Sequence, residues 1–209
     1  MPGLKHEKLC VAPVAGVDEA GCAPLAGPVV AAAVILPAKG IPRGIDDSKK
    51  LSASERERLH GRLRKCAVVG VGIVENDEID VLNIYWARMK AMALAVEALA
   101  AAASEPLAHV LVDGNRLPRW DYAATAIVRG DGISLSIAAA SIVAKHTRDQ
   151  IMIAHSARHP EYNWHSNKGY GCPKHLKALR EFGPTPLHRY SFAPVALAAQ
   201  PYLPSVVAV

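Results

Sequence analysis

The sequence predicts an α/β protein, because two hydrophobic periods alternate along its 209 residues. Short runs rich in Val, Ile and Ala, too short to span a membrane, are separated by longer stretches whose apolar residues recur every three or four positions. Composition agrees: 51% hydrophobic and 21% charged residues suit a globular chain able to fill one core rather than a disordered tail. No internal repeat occurs, and no linker is long enough to part independent domains. The expected organisation is a core over residues 1–160 with a C-terminal extension over residues 161–209 packed on it as one structural unit.

The elements follow in order. Val14–Val17 and Val29–Leu36 read as two buried strands, joined by a connection carrying Gly21, Pro24, Gly27 and Pro28. Ser52 and Glu55 form a capping-box signature that starts a helix from about Ala53 to Lys65, with Leu59, Leu63 and Cys66 as its apolar stripe. Val68–Val74 returns as a strand. Asp77 or Asn76 then caps a helix that the spacing of Leu82, Trp86, Met89, Ala93, Val96 and Leu99 carries to about Ala102. His109–Val112 and Ala124–Arg129 are further short strands, each followed by an Asp beside Gly. Ser134–His159 has the periodicity of a long helix ended by Pro160, and Tyr162–Gly171 reads as an exposed polar and aromatic binding loop. Pro173 opens a basic helix to about Phe182, and Thr185–Phe192 is a loop before a short apolar segment.

Charge is concentrated in one third of the chain. Between Lys145 and Tyr190 eight Lys and Arg face three acids, whereas the other residues balance at sixteen of each, so the whole net charge of +5 lies there. Six histidines, Tyr162, Trp164 and Tyr170 fall in the same third, as a polyanion-binding face requires. Cys10, Cys22, Cys66 and Cys172 show no C-x-x-C spacing, which points away from a zinc site or disulfide framework and towards a reducing compartment. No uninterrupted apolar segment precedes Asp18, and the expectation is an untargeted cytoplasmic protein without membrane association.

Asp18 and Glu19 stand inside an apolar, glycine-punctuated run, where charge is costly unless a proton, a cationic side chain or a metal ion neutralises it. Asp113 and Asp131 also lie at or just beyond strand ends, so one sheet with aligned ends brings four carboxylates to a single edge. Oxygen-only ligands suit Mg²⁺ or Mn²⁺, and a pair of such ions roughly 3.5–4 Å apart is the general solution for phosphodiester hydrolysis. Adjacent Asp18 and Glu19 cannot both face one side of a regular strand. Either the strand ends at Asp18 or Glu19 swings round before Gly21.

Several separate motifs then resemble ribonuclease HII: GVDEAG at Gly16–Gly21 with PLAGPVVAAAVIL after it, DSKKLS at Asp47–Ser52, EIDVLNI at Glu78–Ile84, VDGNR at Val112–Arg116, the Arg129–Asp131 turn with SIAAASIVAKHTRD to Asp149, NKGYG at Asn167–Gly171, and PLHRYSF before Pro194. The resemblance covers about residues 14–195. It implies a ribonuclease-H-like fold, a mixed five-stranded sheet flanked by helices with a helical C-terminal part that grips the substrate. It implies that Asp18, Glu19, Asp113 and Asp131 bind two catalytic divalent ions, Mn²⁺ or Mg²⁺, with Asp18 bridging both, Glu19 and Asp113 completing one and Asp131 the other. Tyr170 would stack on the deoxyribose beside the ribonucleotide, while Ser48, Lys49, Lys145, Lys168 and Arg189 would contact phosphate or sugar. The implied activity is an endonuclease that cuts the RNA strand of RNA–DNA hybrids and incises duplex DNA 5′ to embedded ribonucleotides, acting as a monomer. The related ribonuclease HIII carries a sizeable domain before its first catalytic strand, whereas seventeen residues precede Asp18 here, which favours HII.

One departure stands out. The family usually has Gly-Arg-Gly where this chain has Gly21-Cys22-Ala23, in the loop expected to approach the ribose 2′-OH and its phosphate. Cys22 supplies no charge or fork geometry, and Ala23 disfavours a positive φ. Two other readings are a different ribonuclease-H-like nuclease, such as a junction resolvase, and a basic nucleic-acid-binding protein without turnover. Four acids argue against the second, since carboxylates without metal repel phosphate.

Overall fold

The computed structural model describes residues 1–200 and contains one mixed sheet of five strands in the order β3-β2-β1-β4-β5. The strands are β1 (Val14–Ala20), β2 (Val29–Ile35), β3 (Val68–Val74), β4 (His109–Asp113) and β5 (Ala124–Ile127). The helices are α1 (Ala53–Cys66), α2 (Asn76–Leu82), α3 (Ile84–Ala102), α4 (Leu135–Ser156), α5 (Trp164–Asn167), α6 (Pro173–Phe182) and α7 (Ala193–Ala198). Short 3₁₀ turns cover Glu7–Leu9, Gly130–Gly132 and Pro160–Tyr162. β1 pairs antiparallel with β2 and parallel with β4, so the C-terminal ends of β1, β4 and β5 point the same way.

Alanine in the central strands lets helices approach both faces closely. On one face α3 lays Met92, Val96 and Leu99 against Val17, Val29, Ala31 and Ala33. On the other, Leu59 and Leu63 of α1 and the Ala138–Ala144 stretch of α4 cover Ala32 and Val34. A buried Leu such as Leu99 contributes about 1.5–3 kcal/mol through the apolar surface it removes from water. The capping box at Ser52 and Glu55 forms as the sequence predicts.

Four readings differ from expectation. The helix expected to run unbroken to Ala102 is two helices, because Asn83 adopts φ 65° and its side chain caps α3 by accepting from the Tyr85 and Trp86 amides at 3.0 and 3.2 Å. Asn76 is no cap; its side-chain amide donates to the Pro186 carbonyl at 2.8 Å. The long helix ends at Ser156, before Pro160. The fourth difference is the largest: Tyr162–Gly171 is not an exposed loop, since Tyr162 and Trp164 stack on each other at 5.2 Å inside a core with Leu25, Ala26, Met152, Leu179 and Val195. Their aromaticity serves packing, while Ser166, Asn167, Lys168 and Tyr170 line the cleft at the site.

The segment after residue 160 is stitched to the core by backbone pairing. The Leu25 amide donates to the Gly169 carbonyl at 2.8 Å, the Gly27 amide to Leu187 at 2.8 Å and the Arg189 amide to Leu25 at 2.9 Å. No helix among the described residues is long and apolar enough to cross a membrane. All four cysteines are free.

Candidate active site

β1 continues three residues beyond the Val17 that the sequence suggests, so Asp18 and Glu19 lie within it, opposite Ala32 and Ala31. Neither expected escape from strand alternation is used. Pairing with β4 stops at Val17 opposite Val112, which leaves that side of β1 open beyond Val17. Asp18 shares the α4 face of the sheet and Glu19 the α3 face, and their carboxylates meet Asp113 across the opening. Oxygens of Asp18, Glu19 and Asp113 all lie within 4.8 Å of one another. Asp131, in the 3₁₀ turn after β5, is buried beside this group but outside it. The Gly130 amide, one residue before it, donates to Asp113 Oδ1 at 2.6 Å and ties the turn to the strand end.

Burial pushes the Asp18 carboxyl well above the usual carboxylate range, with Glu19 and Asp113 adding to it. Asp113 is raised by burial and then by Asp131. Glu19 is raised by burial, against which Arg88 acts from α3 with Nη1 3.4 Å from Glu19 Oε1. The other Glu19 oxygen, Oε2, is buried with no hydrogen-bond partner. Across the site, Lys49 Nζ lies 3.0 Å from Asp131 Oδ2, and although burial lowers the ammonium pKa, this bond and charge outweigh it and hold the pKa raised. Two cations thus offset four acids. The unpartnered oxygen, the proton affinity of Asp18 and an oxygen-only donor set fit a hard divalent cation.

The loop after β1 is fixed by two fully buried arginines. Arg189 donates to the carbonyls of Gly21 (2.7 Å), Cys22 (3.1 Å), Gly27 (3.0 Å) and Pro28 (3.1 Å). Arg148 donates to Pro28 (2.9 Å), Ala26 (3.0 Å) and Lys168 (2.9 Å). Gly21 has φ +103°, and a Cβ there would stand 2.1 Å from Arg148 Nε, so the guanidinium occupies the space that only glycine leaves. Ala23 needs no positive φ, which removes the strain the sequence suggested. The Cys22 thiol points at Glu19 Oε1 from 3.6 Å, and burial followed by the Glu19 charge pushes it up to about 12.

The expected phosphate and sugar contacts divide. Arg189 is a correction: its guanidinium is wholly inside, spent on carbonyls, and does not face a substrate phosphate. Ser48 is buried, its carbonyl taken by Arg56 Nη1 at 3.1 Å. Lys49 keeps 76% of its side chain exposed despite the Asp131 bond, and Tyr170 is 41% exposed with Lys145 Nζ 5.5 Å from its ring centre. Lys145, Lys168 and Tyr170 share a cleft of about 560 Å³ with Arg56, His146 and Asp149. There Asp149 binds Lys145 at 2.8 Å and Arg56 at 3.6 Å.

Sequence reasoning missed Arg88, Arg56 and the anchoring duty of Arg148. Arg148 does carry a signal, a charged residue whose helical spacing places it on the inner face of α4 with Ser141, Ala144 and Met152. Arg88 carries none, because its partner is 69 residues away.

A five-stranded mixed sheet, helices on both faces and carboxylates gathered where β1 and β4 part define the ribonuclease-H-like class. Solved structures with this fold include the archaeal ribonuclease HII of Archaeoglobus fulgidus, determined in complex with PCNA, at TM-score 0.73 and 25% identity over 91% of this chain and 98% of that one. Ribonuclease H2 of Pyrococcus horikoshii matches at TM-score 0.68 and 26% identity, over 89% and 96%. The family model described as Ribonuclease HII matches residues 15–195. A ribonuclease HII of Rhizorhabdus wittichii is 60% identical over 88% of this chain and 89% of its own, and one of Erythrobacter litoralis 56% over 88% of each. The chain belongs to the ribonuclease HII family and is a ribonuclease H, an enzyme class that hydrolyses the RNA of RNA–DNA hybrids.

Proposed function

We propose that this enzyme cuts the RNA strand of hybrids to leave 3′-hydroxyl and 5′-phosphate ends, and incises duplex DNA 5′ to a lone ribonucleotide, with two divalent ions held by Asp18, Glu19, Asp113 and Asp131. The observation that carries this reading is the convergence of Asp18, Glu19 and Asp113, with Asp131 bound alongside, in a chain of this family. Mn²⁺ or Mg²⁺ suits the donors, and such ions supply activation of water and stabilisation of the charge that builds on the phosphodiester.

The protein's own groups do the rest. Burial and the neighbouring carboxylates raise the proton affinity of Asp18, a cost that a bound cation would offset, while the Gly130 amide keeps Asp113 turned into the cluster. Lys49, largely exposed and adjacent to Asp131, is placed to meet a phosphate oxygen. The Tyr170 ring offers a face beside Lys145 and Lys168 on which a sugar can rest, so residues 161–200 bind the duplex while the sheet edge cuts it. All these groups lie in one chain, which suits a monomer, and four free cysteines suit a reducing cytoplasm.

Labelled duplexes carrying zero, one or four ribonucleotides, incubated in Mg²⁺ and in Mn²⁺, test the proposal. Incision 5′ to the single ribonucleotide and within the tract, with none in the all-DNA duplex, is the expected pattern. Cutting of branched all-DNA substrates instead would sink it in favour of a resolvase, and metal-dependent hybrid affinity without cleavage would favour a binding protein.

A further inference from the structure

His175 and His188 are fully buried near the start of α6 and in the turn before α7, outside the acid cluster. Their ring nitrogens form a chain of hydrogen bonds whose protons are fixed by the groups at its ends. His175 Nδ1 lies 3.0 Å from the Tyr170 carbonyl oxygen, which only accepts, so Nδ1 carries a proton. The Thr185 amide donates to His188 Nδ1 at 2.9 Å, so that nitrogen presents its lone pair. The two Nε2 atoms are 3.0 Å apart. His188 must then donate from Nε2 to His175 Nε2, which also accepts from Trp164 Nε1 at 3.2 Å. Both rings are neutral, in opposite tautomers.

A further proton is poorly received, since the one acceptor within reach of either ring nitrogen that would take it is the Thr185 hydroxyl oxygen, 3.0 Å from His188 Nδ1. On His175 it would set Nε2–H against both His188 Nε2–H and Trp164 Nε1–H; on His188 it would set Nδ1–H against the Thr185 amide. The surroundings give no help, since the Tyr162 and Trp164 rings pack at 4.8 and 5.3 Å from His188. His159, the next titratable group, packs its ring on Trp164 and faces Glu161. Arg189 turns its guanidinium to the carbonyls of Gly21, Cys22, Gly27 and Pro28, and among the described residues neither ring pairs with a carboxylate.

The relay ends where the substrate loop needs holding. Three successive carbonyls are each taken by a different element: Lys168 by Arg148, Gly169 by the Leu25 amide and Tyr170 by His175. Resting on the reading that Tyr170 contacts the substrate sugar, we propose that the neutral His175–His188 pair positions Tyr170 for cleavage. The pair carries the register of the Thr185–Arg189 turn, itself bonded to the loop after β1, into the backbone that aims the Tyr170 ring. His175 and His188 are thus positioning residues that act through Tyr170.

Nitrogen NMR of the full-length protein with ¹⁵N-labelled histidine tests the pair directly: His175 should appear protonated only at Nδ1 and His188 only at Nε2, from about pH 7.5 down to about pH 5.5. His175→Leu should lower kcat on a single-ribonucleotide duplex by about tenfold with KM within about twofold, His175→Asn, which restores a donor near the Nδ1 position, should recover most of the loss, and in a Tyr170→Ala background His175→Leu should cost less than about twofold. An imidazolium or reversed tautomers at about pH 7.5 would overturn the relay, and that spectrum requires no variant to fold. A full tenfold cost persisting without the Tyr170 ring would overturn the positioning role alone. Tyr170→Ala with undiminished cleavage would overturn the reading of Tyr170, and the positioning role with it.

Discussion

Arg88 and Cys22 meet on one oxygen of Glu19, the guanidinium at 3.4 Å and the thiol at 3.6 Å. The cation missing from the loop after β1 is therefore matched by one delivered from α3, close to the same carboxylate. An arginine introduced at position 22 would enter a place where Arg88 already acts. Cys22→Arg should improve discrimination of a single ribonucleotide over a tract only slightly, whereas Cys22→Arg with Arg88→Ala should improve it by more, up to the roughly 1–3 kcal/mol of one charged hydrogen bond. The ratio of the two cleavage rates, measured for each single and the double variant, checks this; strict additivity would show that the two positions do not compete.

Asp18→Asn and Asp131→Asn should each abolish turnover without unfolding the protein, because each removes a ligand charge and little volume. Residual activity above about a tenth of the parent, a barrier change below roughly 1.4 kcal/mol, would exclude that residue from the metal site. Asp18 adds a second signature. Its folded pKa is raised, so the metal-free protein should gain stability as pH falls through that raised value towards the ordinary 3.8, and Asp18→Asn should flatten that gain and raise the melting temperature at neutral pH. Thermal melts with and without Mn²⁺ across pH read both effects.

Lys168 and Arg189 should separate cleanly. Lys168→Ala should weaken hybrid binding and reduce the slope of log affinity against log salt by about 0.9, the value of one phosphate contact. Arg189→Ala should leave that slope unchanged and lower stability instead, since it strips donors from four carbonyls, each costing about 1–3 kcal/mol if left unsatisfied. Urea denaturation beside salt-dependent binding distinguishes the two roles.

Acid should loosen the C-terminal core through His188. Burial, and then His175, hold His188 down at about 3, against an ordinary value of 6.5. Because the unfolded chain takes up the proton first, stability is fully present above pH 6.5 and falls as pH drops from there towards 3, by about 1.4 kcal/mol per pH unit for this ring. His188→Gln should shallow the decline between those limits, and denaturation curves at stepped pH would expose an unchanged slope.

Much of the fold was legible because its signals are local: the capping box at Ser52, the β-branched runs and the turn glycines each act within a few residues. Asp18 and Glu19 were legible as charges that an apolar setting makes costly, and Asp113 and Asp131 by their places at or just beyond strand ends. What stayed hidden depends on contacts made across the chain. The break at Asn83 lies in a single positive φ inside an otherwise continuous helical pattern. Tyr162 and Trp164 look like a binding surface until their burial between α4, α6 and α7 is known, and Arg189 looks like a phosphate ligand until its carbonyl partners, more than 160 residues earlier, are placed around it. Charge composition locates a basic region and leaves open which of its cations face outward.

Arg189 also sets an order of events. The loop behind β1 leaves the ribosome well before Arg189, yet four of its carbonyls find a donor in that residue, more than 160 positions later. Strands and helices of the sheet can assemble during synthesis, but the wall beside Asp18 and Glu19 sets only when the final turn swings back to meet it. A chain ended before Arg189 would carry the acids without the donor that fixes the loop beside them.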